Sequence, residues 1–328
     1  MGGCRRASQI VYASKGYIAL TDPEWYRFLA IQPRVDEVNF WRPHGEQRFG
    51  ALKRGELFFF KLRAPHKAIA GFGFFERFES MPAWLAWDCF GSMNGAPNYD
   101  AMIDRILRLR GDDSPAARAG DFKIGCIMIS APVFFEEHEW IDPPSNWAQT
   151  GIQTGKRYSL QEGEGHRVLE QCLARVRSGD HYWNVESEKS EAKDAPRYGT
   201  PILVRPRLGQ GLFSLEVRDA YGGACAVTSE HSIPVLEAAH IKPYASGGEH
   251  LVNNGLLLRR DLHRLFDLGY VTVTPDRIFR VGERLRDEFH NGRSYYDYDQ
   301  QKIVEPANEL FRPSRELLDW HNQLIFKG

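Results

Sequence analysis

The stretch LEAAHIKPYASGGEHLVNNGLLLRRDLHRLFD, residues 236–267, decides the organisation of this chain. Its first part is an apolar run that suits a strand and ends at His240. A glycine-rich loop follows and closes at Asn254, and a second histidine, His263, lies in a short segment of helical character. These features predict a β-hairpin followed by a helix, with three polar side chains held close together.

The residues around these three positions form a recognisable family pattern. His240 stands in AAHIKP, Asn254 in NNGLLL and His263 in RDLHRLFD, and residues 225–267 resemble the HNH nucleases, which have a ββα-metal core. The resemblance implies hydrolysis of phosphodiester bonds. His240 would be the general base, because a neutral imidazole with a pKa of about 6.5 takes up a proton at physiological pH. His263 would bind a divalent cation, and Asn254 would orient His240 or hold the loop.

One position departs from the family pattern. Just before the base, many HNH enzymes have an acidic or histidine metal ligand, whereas this chain has Ala239. Glu237 on the same strand and Asp267, one helical turn after His263, are candidate replacements. Together with His263 they would hold Mg²⁺ or Mn²⁺. The alternative is that these histidines and Asn254 are ordinary core and loop residues of a non-catalytic module.

The composition is typical of a globular protein with almost no net charge. The 328 residues are 42% hydrophobic and 12% aromatic, which is enough for two domains with proper cores. The 42 Lys plus Arg and 43 Asp plus Glu nearly cancel, so any contact with DNA must come from local basic patches.

The five cysteines are scattered, with no CxxC pair, which argues against a structural zinc and against a disulfide framework. The N-terminal MGGCRRAS has no apolar signal region, and no apolar run approaches the roughly 20 residues of a membrane span. The sequence therefore predicts a protein of the reducing cytoplasm that has no membrane partner.

Residues 16–31 predict a strand followed by a helix that starts at Thr21, Asp22 and Pro23. Residues 37–45, EVNFWRPHG, are expected to lie outside regular structure because Pro43 and Gly45 interrupt them. The following runs predict a buried hairpin at residues 52–78, a helix at 100–110, and a strand pair at 124–135 and 140–147. A small mixed β-barrel would package these strands.

The strand GELFFFKL, its partner AIAGFGFF and the later IGCIMIS make residues 15–160 resemble PUA-like domains, several of which read modified nucleic acids. The resemblance implies a pocket in which aromatic side chains stack on an extruded nucleotide. The candidate pocket or backbone contacts are Asn39, Trp41, Arg42, Arg63 and His66, with Trp87 and Asn94 as weaker candidates. Phe40 and Trp41 are equally expected to close a core edge.

Residues 161–200 are expected to form a helical connection and a polar linker, with the domain boundary near residue 190. Beyond it, a helix is predicted at 212–221, and Arg205, Arg207 and Arg218 surround it as a candidate DNA clamp. The alternative is an ordinary amphipathic helix that packs on the nuclease core. Lys242 is a further candidate for DNA contact, and His250 a weaker one.

The two parts together predict an α+β protein with a PUA-like reader at 1–160 and an HNH nuclease domain at 201–328. A small HNH unit contacts DNA mostly through its backbone, so a second domain must select the DNA. This combination resembles modification-dependent restriction endonucleases, which cut DNA carrying modified bases or phosphorothioates. A homodimer would supply the two active sites that double-strand cleavage needs. The alternatives are a general or structure-specific HNH nuclease and a catalytically silent nucleic-acid reader.

Overall fold

The computed structural model divides the chain into two compact units, Met1–Arg207 and Leu208–Gly328, which are described separately below. It describes residues 14–33, 35–112, 114, 120, 122–148, 154–178, 209–290 and 292–328. The predicted boundary near residue 190 lies outside these ranges. In the described part, none of the helices combines the length and the apolar character that a bilayer crossing demands.

The first unit is built on one six-stranded mixed sheet. Its strands are β1 (Lys15–Thr21), β2 (Glu37–Arg42), β3 (Leu57–Leu62), β4 (Ile69–Pro82), β5 (Lys123–Phe134) and β6 (Gly155–Ser159). They are hydrogen-bonded in the order β2-β5-β4-β3-β1-β6. Among the described strands, only β1 and β3 pair in parallel. The order begins at β2 and ends at β6, so the ladders of the described strands form an open sheet and do not close the predicted barrel by hydrogen bonding.

The described helices beside this sheet are α1 (Pro23–Ala30), α2 (Ala83–Phe90), α3 (Tyr99–Arg110) and α4 (Gly163–Ser178). Helix α1 begins where the sequence predicts, because the Asp22 carboxylate accepts hydrogen bonds from the Glu24 and Trp25 amides. Helix α4 buries Val168, Leu169 and Cys172 against the sheet. These residues, assigned to a connection by sequence, are therefore part of the first core.

Two strand predictions in this unit are wrong. Residues 37–42 form β2, paired antiparallel with β5 over its whole length. Pro43 and Gly45 end this strand instead of preventing it. The predicted strand at 140–147 is reduced to a single bridge between Ile69 and Ile141, since the prolines that follow at 143 and 144 cannot donate to a ladder.

The second unit surrounds the hairpin and helix predicted from residues 236–267. Strands β7 (Leu236–His240) and β8 (Gly255–Arg259) pair antiparallel, and the remaining strands β9 (Val271–Val273) and β10 (Phe279–Val281) form a second hairpin. Its described helices are α5 (Gln210–Ala220), α6 (Arg260–Asp267), α7 (Arg284–Phe289), α8 (Arg293–Tyr296) and α9 (Arg315–Leu324).

The core of this unit lies between the two hairpins and the helices. Phe213, Leu257, Phe266 and Leu318, each from a different element, are at most 1% exposed. Glycine is required at Gly248, because a Cβ there would lie 1.9 Å from the Lys242 carbonyl oxygen. The tight loop between β7 and β8 depends on this close approach, and it sets the position of the site described next.

Candidate functional site

His240 lies at the end of β7, held between an aromatic ring and a second histidine. Its ring stacks on Phe213 of α5, with centroids 3.9 Å apart and planes 13° from parallel. His240 Nε2 lies 2.9 Å from Nδ1 of His250, in hydrogen-bond contact. Tyr244 stacks on the His250 ring at 4.9 Å, with planes 2° apart. These contacts fix the orientation of the His240 imidazole.

The surroundings of His240 keep its imidazole neutral. Burial is the main cause, and the neighbouring His250 and His263 add to it, so the pKa of His240 falls to about 4. A neutral imidazole at physiological pH has a lone pair available to accept a proton. The protonation state of His240 therefore suits a general base.

Asn254 holds the loop between β7 and β8 and does not contact the His240 ring. Its side-chain oxygen accepts the Lys242 amide at 2.9 Å. Its side-chain nitrogen donates to the carbonyls of Lys242 and Glu249, at 3.0 and 2.8 Å. The side chain is 1% exposed. Of the two roles that the sequence left open, the geometry favours the loop clamp.

His263, on α6, has a carboxylate at each ring nitrogen. Its Nδ1 lies 2.8 Å from Glu237 Oε2, and its Nε2 lies 3.5 Å from Asp267 Oδ2. Glu237 also accepts from Arg260 Nε at 2.9 Å. Burial raises the pKa of Asp267 above its ordinary value. The structure thus brings the three candidate ligands together, with Glu237 and Asp267 at opposite nitrogens of the His263 imidazole.

The chemistry of this donor set fits Mg²⁺ or Mn²⁺ in part. Both ions accept carboxylate oxygens and keep several waters or substrate phosphates in their shells. The two nitrogens of an imidazole point in diverging directions, so one ion on His263 could share only one of the two carboxylates. In agreement, no group of three or more His, Cys, Asp or Glu residues arranged to hold a metal occurs in the described ranges. His263 with Glu237 is the closer pair.

Ala239 cannot take part in this site. Its side chain is 0% exposed and packs in the core of the second unit. A carboxylate at this position would be buried among apolar neighbours, at a desolvation cost of several kcal/mol. The chain therefore departs from the family pattern where packing leaves no room for a charged ligand.

The basic residues predicted to contact DNA in the second unit have different surroundings. Lys242 directs its ammonium over the Trp320 ring, 5.5 Å from the centroid. Arg218 has Nε and Nη1 buried, with no hydrogen-bond partner in the described part of the chain, which removes most of its guanidinium from an outer surface. Arg205 and Arg207 lie outside the described residues.

The first unit contains an aromatic pocket that includes some of the predicted contacts. Trp41, Arg42 and Arg63 line it, as do the aromatic side chains Tyr17, Trp25, Phe40 and Phe49. Asp22 and Thr154 are polar groups in its wall. Arg63 is exposed and Arg42 half-buried, so the apolar wall is accompanied by two cationic groups.

Other predicted contacts of the first unit have structural roles instead. Asn39 is 0% exposed and donates to Asn94 Oδ1 at 2.8 Å, and Asn94 in turn donates to the carbonyls of Ala86 and Gly91. His66 accepts from Arg27 and lies edge-on to Trp140, away from the pocket wall.

Trp87 packs against Tyr99, with ring centroids 6.2 Å apart, and does not line the pocket either. Asn39 and Asn94 thus lie in a buried network, in which Asn39 Oδ1 has no hydrogen-bond partner within the described residues. His66 and Trp87 lie apart from the pocket.

Sequence reasoning missed the ring that supports the candidate base. Phe213 lies on α5, far from the motif along the chain, and nothing in the spacing of residues 236–267 points to it. His250 carried a visible signal, because it stands in the loop ten residues after His240. Its contact with the His240 ring could not be read from that position.

A family comparison assigns one segment of the chain. Residues 225–274 match the family model described as HNH endonuclease. This segment contains β7, β8 and α6 with His240, Asn254 and His263, so the nuclease class predicted from the sequence is supported there. No curated protein matches the chain significantly.

Solved structures give only distant likenesses. Two mutant ASCH proteins from Zymomonas mobilis align with 47% and 49% of this chain and with 96% and 98% of their own, at 10% identity and TM-scores of 0.29 and 0.26. A modification-dependent TagI restriction endonuclease aligns with 90% of this chain and 77% of its own, at 11% identity and a TM-score of 0.30. TM-scores this low assign neither a fold nor a function.

Proposed function

We propose that this protein is a divalent-metal-dependent endonuclease that cleaves DNA carrying a modified base or a phosphorothioate. The observation that supports it most is the arrangement of His240, Asn254 and His263 on a β-hairpin and helix inside the segment that matches the HNH endonucleases. The second unit would cut the DNA, and the first would select it.

His240 acts as the general base in this proposal. Its low pKa keeps it neutral, and its ring is fixed between Phe213 and His250, so it can take a proton from a water molecule beside the scissile phosphate. Asn254 acts indirectly, since it fixes the loop that begins directly after the base. Lys242, in that loop, would contact a backbone phosphate.

His263 with Glu237 would hold the divalent cation, and Asp267 is the alternative carboxylate. When bound, the cation supplies positive charge that stabilises the phosphate and the leaving oxygen. Glu237 must exchange its contacts with His263 and Arg260 for this role. Arg260 would then exchange its contact with Glu237 for one with a DNA phosphate, which keeps the local charge balanced.

The pocket of the first unit is the proposed reading site. Its aromatic wall could stack on an extruded base, an interaction worth about 1 to 3 kcal/mol per base. Arg42 and Arg63 would pair with the flanking phosphates. A homodimer would place a second cutting site on the opposite strand. In this proposal, neither unit alone accounts for both the selection and the cleavage of the DNA.

The test is a cleavage panel with the full-length protein. One duplex is prepared unmodified, with methylated bases, with hydroxymethylated bases and with phosphorothioate linkages, and each is incubated with Mg²⁺, Mn²⁺ or a chelator. We expect double-strand cleavage of at least one modified duplex, and only with a divalent ion. Equal cleavage of the unmodified duplex would contradict modification dependence and leave a general nuclease.

A catalytically silent reader is the second candidate, and one contact favours it. Arg260 and His263 both occupy the Glu237 carboxylate, as expected for a charge cluster that has become structural. Tight binding of a modified duplex, without cleavage under either ion, is the outcome that would select this candidate over the nuclease.

A further inference from the structure

His250 is engaged with the candidate base through one particular atom. The ring is half-buried in the loop between β7 and β8, where it lies parallel to Tyr244 at 4.9 Å. Its Nδ1 is 2.9 Å from His240 Nε2. The loop itself is fixed by the three side-chain hydrogen bonds of Asn254. His250 is therefore held against His240 by both stacking and loop geometry.

This contact decides which nitrogen of His240 is left to accept a proton from water. Nε2 is occupied by His250, and no described residue hydrogen-bonds Nδ1 of His240. A base must accept a proton through an unprotonated nitrogen, which leaves Nδ1 for that task. A neutral imidazole with an unprotonated Nδ1 has its hydrogen on Nε2. His240 would then donate from Nε2, and His250 would accept at Nδ1 with its own hydrogen on Nε2.

We propose that His250 is a positioning residue that holds His240 in the Nε2–H tautomer, so that Nδ1 faces the reacting water. The proposal rests on the proposed nuclease function and adds a residue to its site. An imidazole acceptor is a neutral counterpart of the carboxylates and carbonyls that commonly fix a functional histidine.

The proton balance is simple. An O–H bond of water breaks, its electron pair stays on oxygen, and the proton bonds to Nδ1 of His240. The imidazole becomes a cation with both nitrogens protonated, and its Nε2–H still donates to His250. The same hydrogen bond to His250 is therefore kept before and after the proton transfer.

Two variants separate the hydrogen bond from the ring. His250→Phe keeps a flat ring that can stack on Tyr244 but has no acceptor. His250→Asn loses the ring and places an amide oxygen near the position of the lost Nδ1, where it can accept from His240. If the ring has a merely structural role, His250→Phe should lower activity less than His250→Asn. If His250 positions His240, His250→Asn should lower activity less than His250→Phe.

The kinetic test uses single-turnover and steady-state cleavage of whichever duplex the wild-type protein cuts. We expect His250→Phe to lower kcat by about 10- to 100-fold with little change in KM, as is typical when a partner that orients a functional histidine is lost. His250→Asn should stay within about threefold of wild type. Equal losses in both variants, or a fully active His250→Phe, would overturn the proposal.

A spectroscopic readout tests the tautomer without any cleavage. Long-range ¹H–¹⁵N correlation spectra of the full-length protein report which imidazole nitrogen carries hydrogen, and His240→Gln identifies the His240 signals by their disappearance. We expect the Nε2–H form of His240 in the wild type and in His250→Asn, and a mixture of tautomers in His250→Phe. An Nδ1–H form in the wild type would overturn the proposal.

The two measurements also separate two kinds of failure. If the wild type cuts no DNA but His240 is in the Nε2–H form, the nuclease function fails while the assigned contact stands. If the wild type cuts DNA but His240 is in the Nδ1–H form, the nuclease stands and the positioning role fails.

Discussion

The two candidate sites of this molecule are assembled in different ways. In the second unit, His240, Asn254 and His263 lie on consecutive elements, so a short stretch of sequence contains most of the site. In the first unit, the pocket draws residues from Tyr17 to Thr154 and depends on the pairing of distant strands. A local motif can be recognised from its spacing, whereas a pocket made by a sheet becomes visible only once the strands are paired.

The sites also differ in their electrostatics. The His240 site is built from partly buried imidazoles, one of which has its pKa lowered to about 4. The pocket of the first unit combines aromatic rings with two arginines. If the His240 site cuts the DNA and the pocket of the first unit selects it, changes at the two sites should affect different measured quantities, the cleavage rate and the binding preference.

The largest effect is expected from His240→Ala. Loss of the general base should lower the single-turnover cleavage rate by about 10²- to 10⁴-fold, the usual contribution of such a group. Binding of the same duplex should change little, because the pocket of the first unit is untouched. His231→Ala removes an exposed histidine of the same unit and should cleave like wild type. If the His240→Ala protein still cuts at the wild-type rate, His240 is not the general base.

A smaller loss should follow from Asn254→Ala. The change removes the three part-buried hydrogen bonds that the Asn254 side chain makes with the Lys242 amide and with the carbonyls of Lys242 and Glu249. We expect the free energy of unfolding to fall by about 2 to 4 kcal/mol, since each lost hydrogen bond costs about 1 kcal/mol. Chemical denaturation measures this value.

The neighbouring Asn253 is the matched control for this variant. Its side chain makes no hydrogen bond within the described residues, and only its backbone carbonyl accepts, from Ser314. Asn253→Ala should therefore leave stability nearly unchanged. Similar losses in the two variants would show that Asn254 is not a special clamp.

Part of the pH dependence of stability in the second unit should come from His321. Burial of His321 lowers its pKa from 6.5 to about 4, so the folded state binds fewer protons than the unfolded state in this window. Its stabilising contribution is complete above about pH 6.5 and is lost as the pH falls towards 4. Between about pH 6.5 and pH 5 we expect a loss of about 1 to 2 kcal/mol from this residue.

Denaturation of the full-length protein at both pH values, with His321→Gln as the comparison, measures this contribution. The variant should show the smaller loss of stability on acidification. An equal or larger loss in the variant would show that His321 is not the group responsible.

The smallest effect is expected from Arg63→Ala. Arg63 is exposed and lines the pocket, so its removal should weaken binding of a modified duplex by about 1.5- to 5-fold, the value of a single exposed charge contact. Lys53→Ala removes an exposed charge of the same unit that does not line the pocket. If both variants weaken DNA binding equally, the loss of Arg63 acts through the overall positive charge of the unit and not through the pocket.

Much of the second unit could be predicted from its sequence. The strand ending at His240 and the helix holding His263 both follow from local periodicity, and the structure confirms both. The position of Phe213 could not be predicted, since α5 reaches β7 only through tertiary packing. The pairing of Glu237 with Arg260 and His263 likewise depends on how α6 packs against β7.

The first unit shows why its sequence was harder to interpret. Strand β2 is short, and the Pro43 and Gly45 that follow it predict irregular structure for the whole segment. Its pairing with β5, distant along the chain, overrides that local pattern. Asn39 looked like a ligand for a nucleotide because it is polar beside two aromatic residues. The structure instead buries it with Asn94 and Cys126.

The division of labour between the units is the central claim, and one paired measurement tests it most directly. Cleavage rate and affinity are measured on the same modified and unmodified duplexes for the wild type, His240→Ala and Phe40→Leu, which removes a half-buried ring of the pocket wall. We expect His240→Ala to lose cleavage but keep its preference for modified DNA, and Phe40→Leu to lose most of that preference but keep cleavage where DNA is bound. A preference that is absent from the wild type, or that disappears with His240, would contradict the claim.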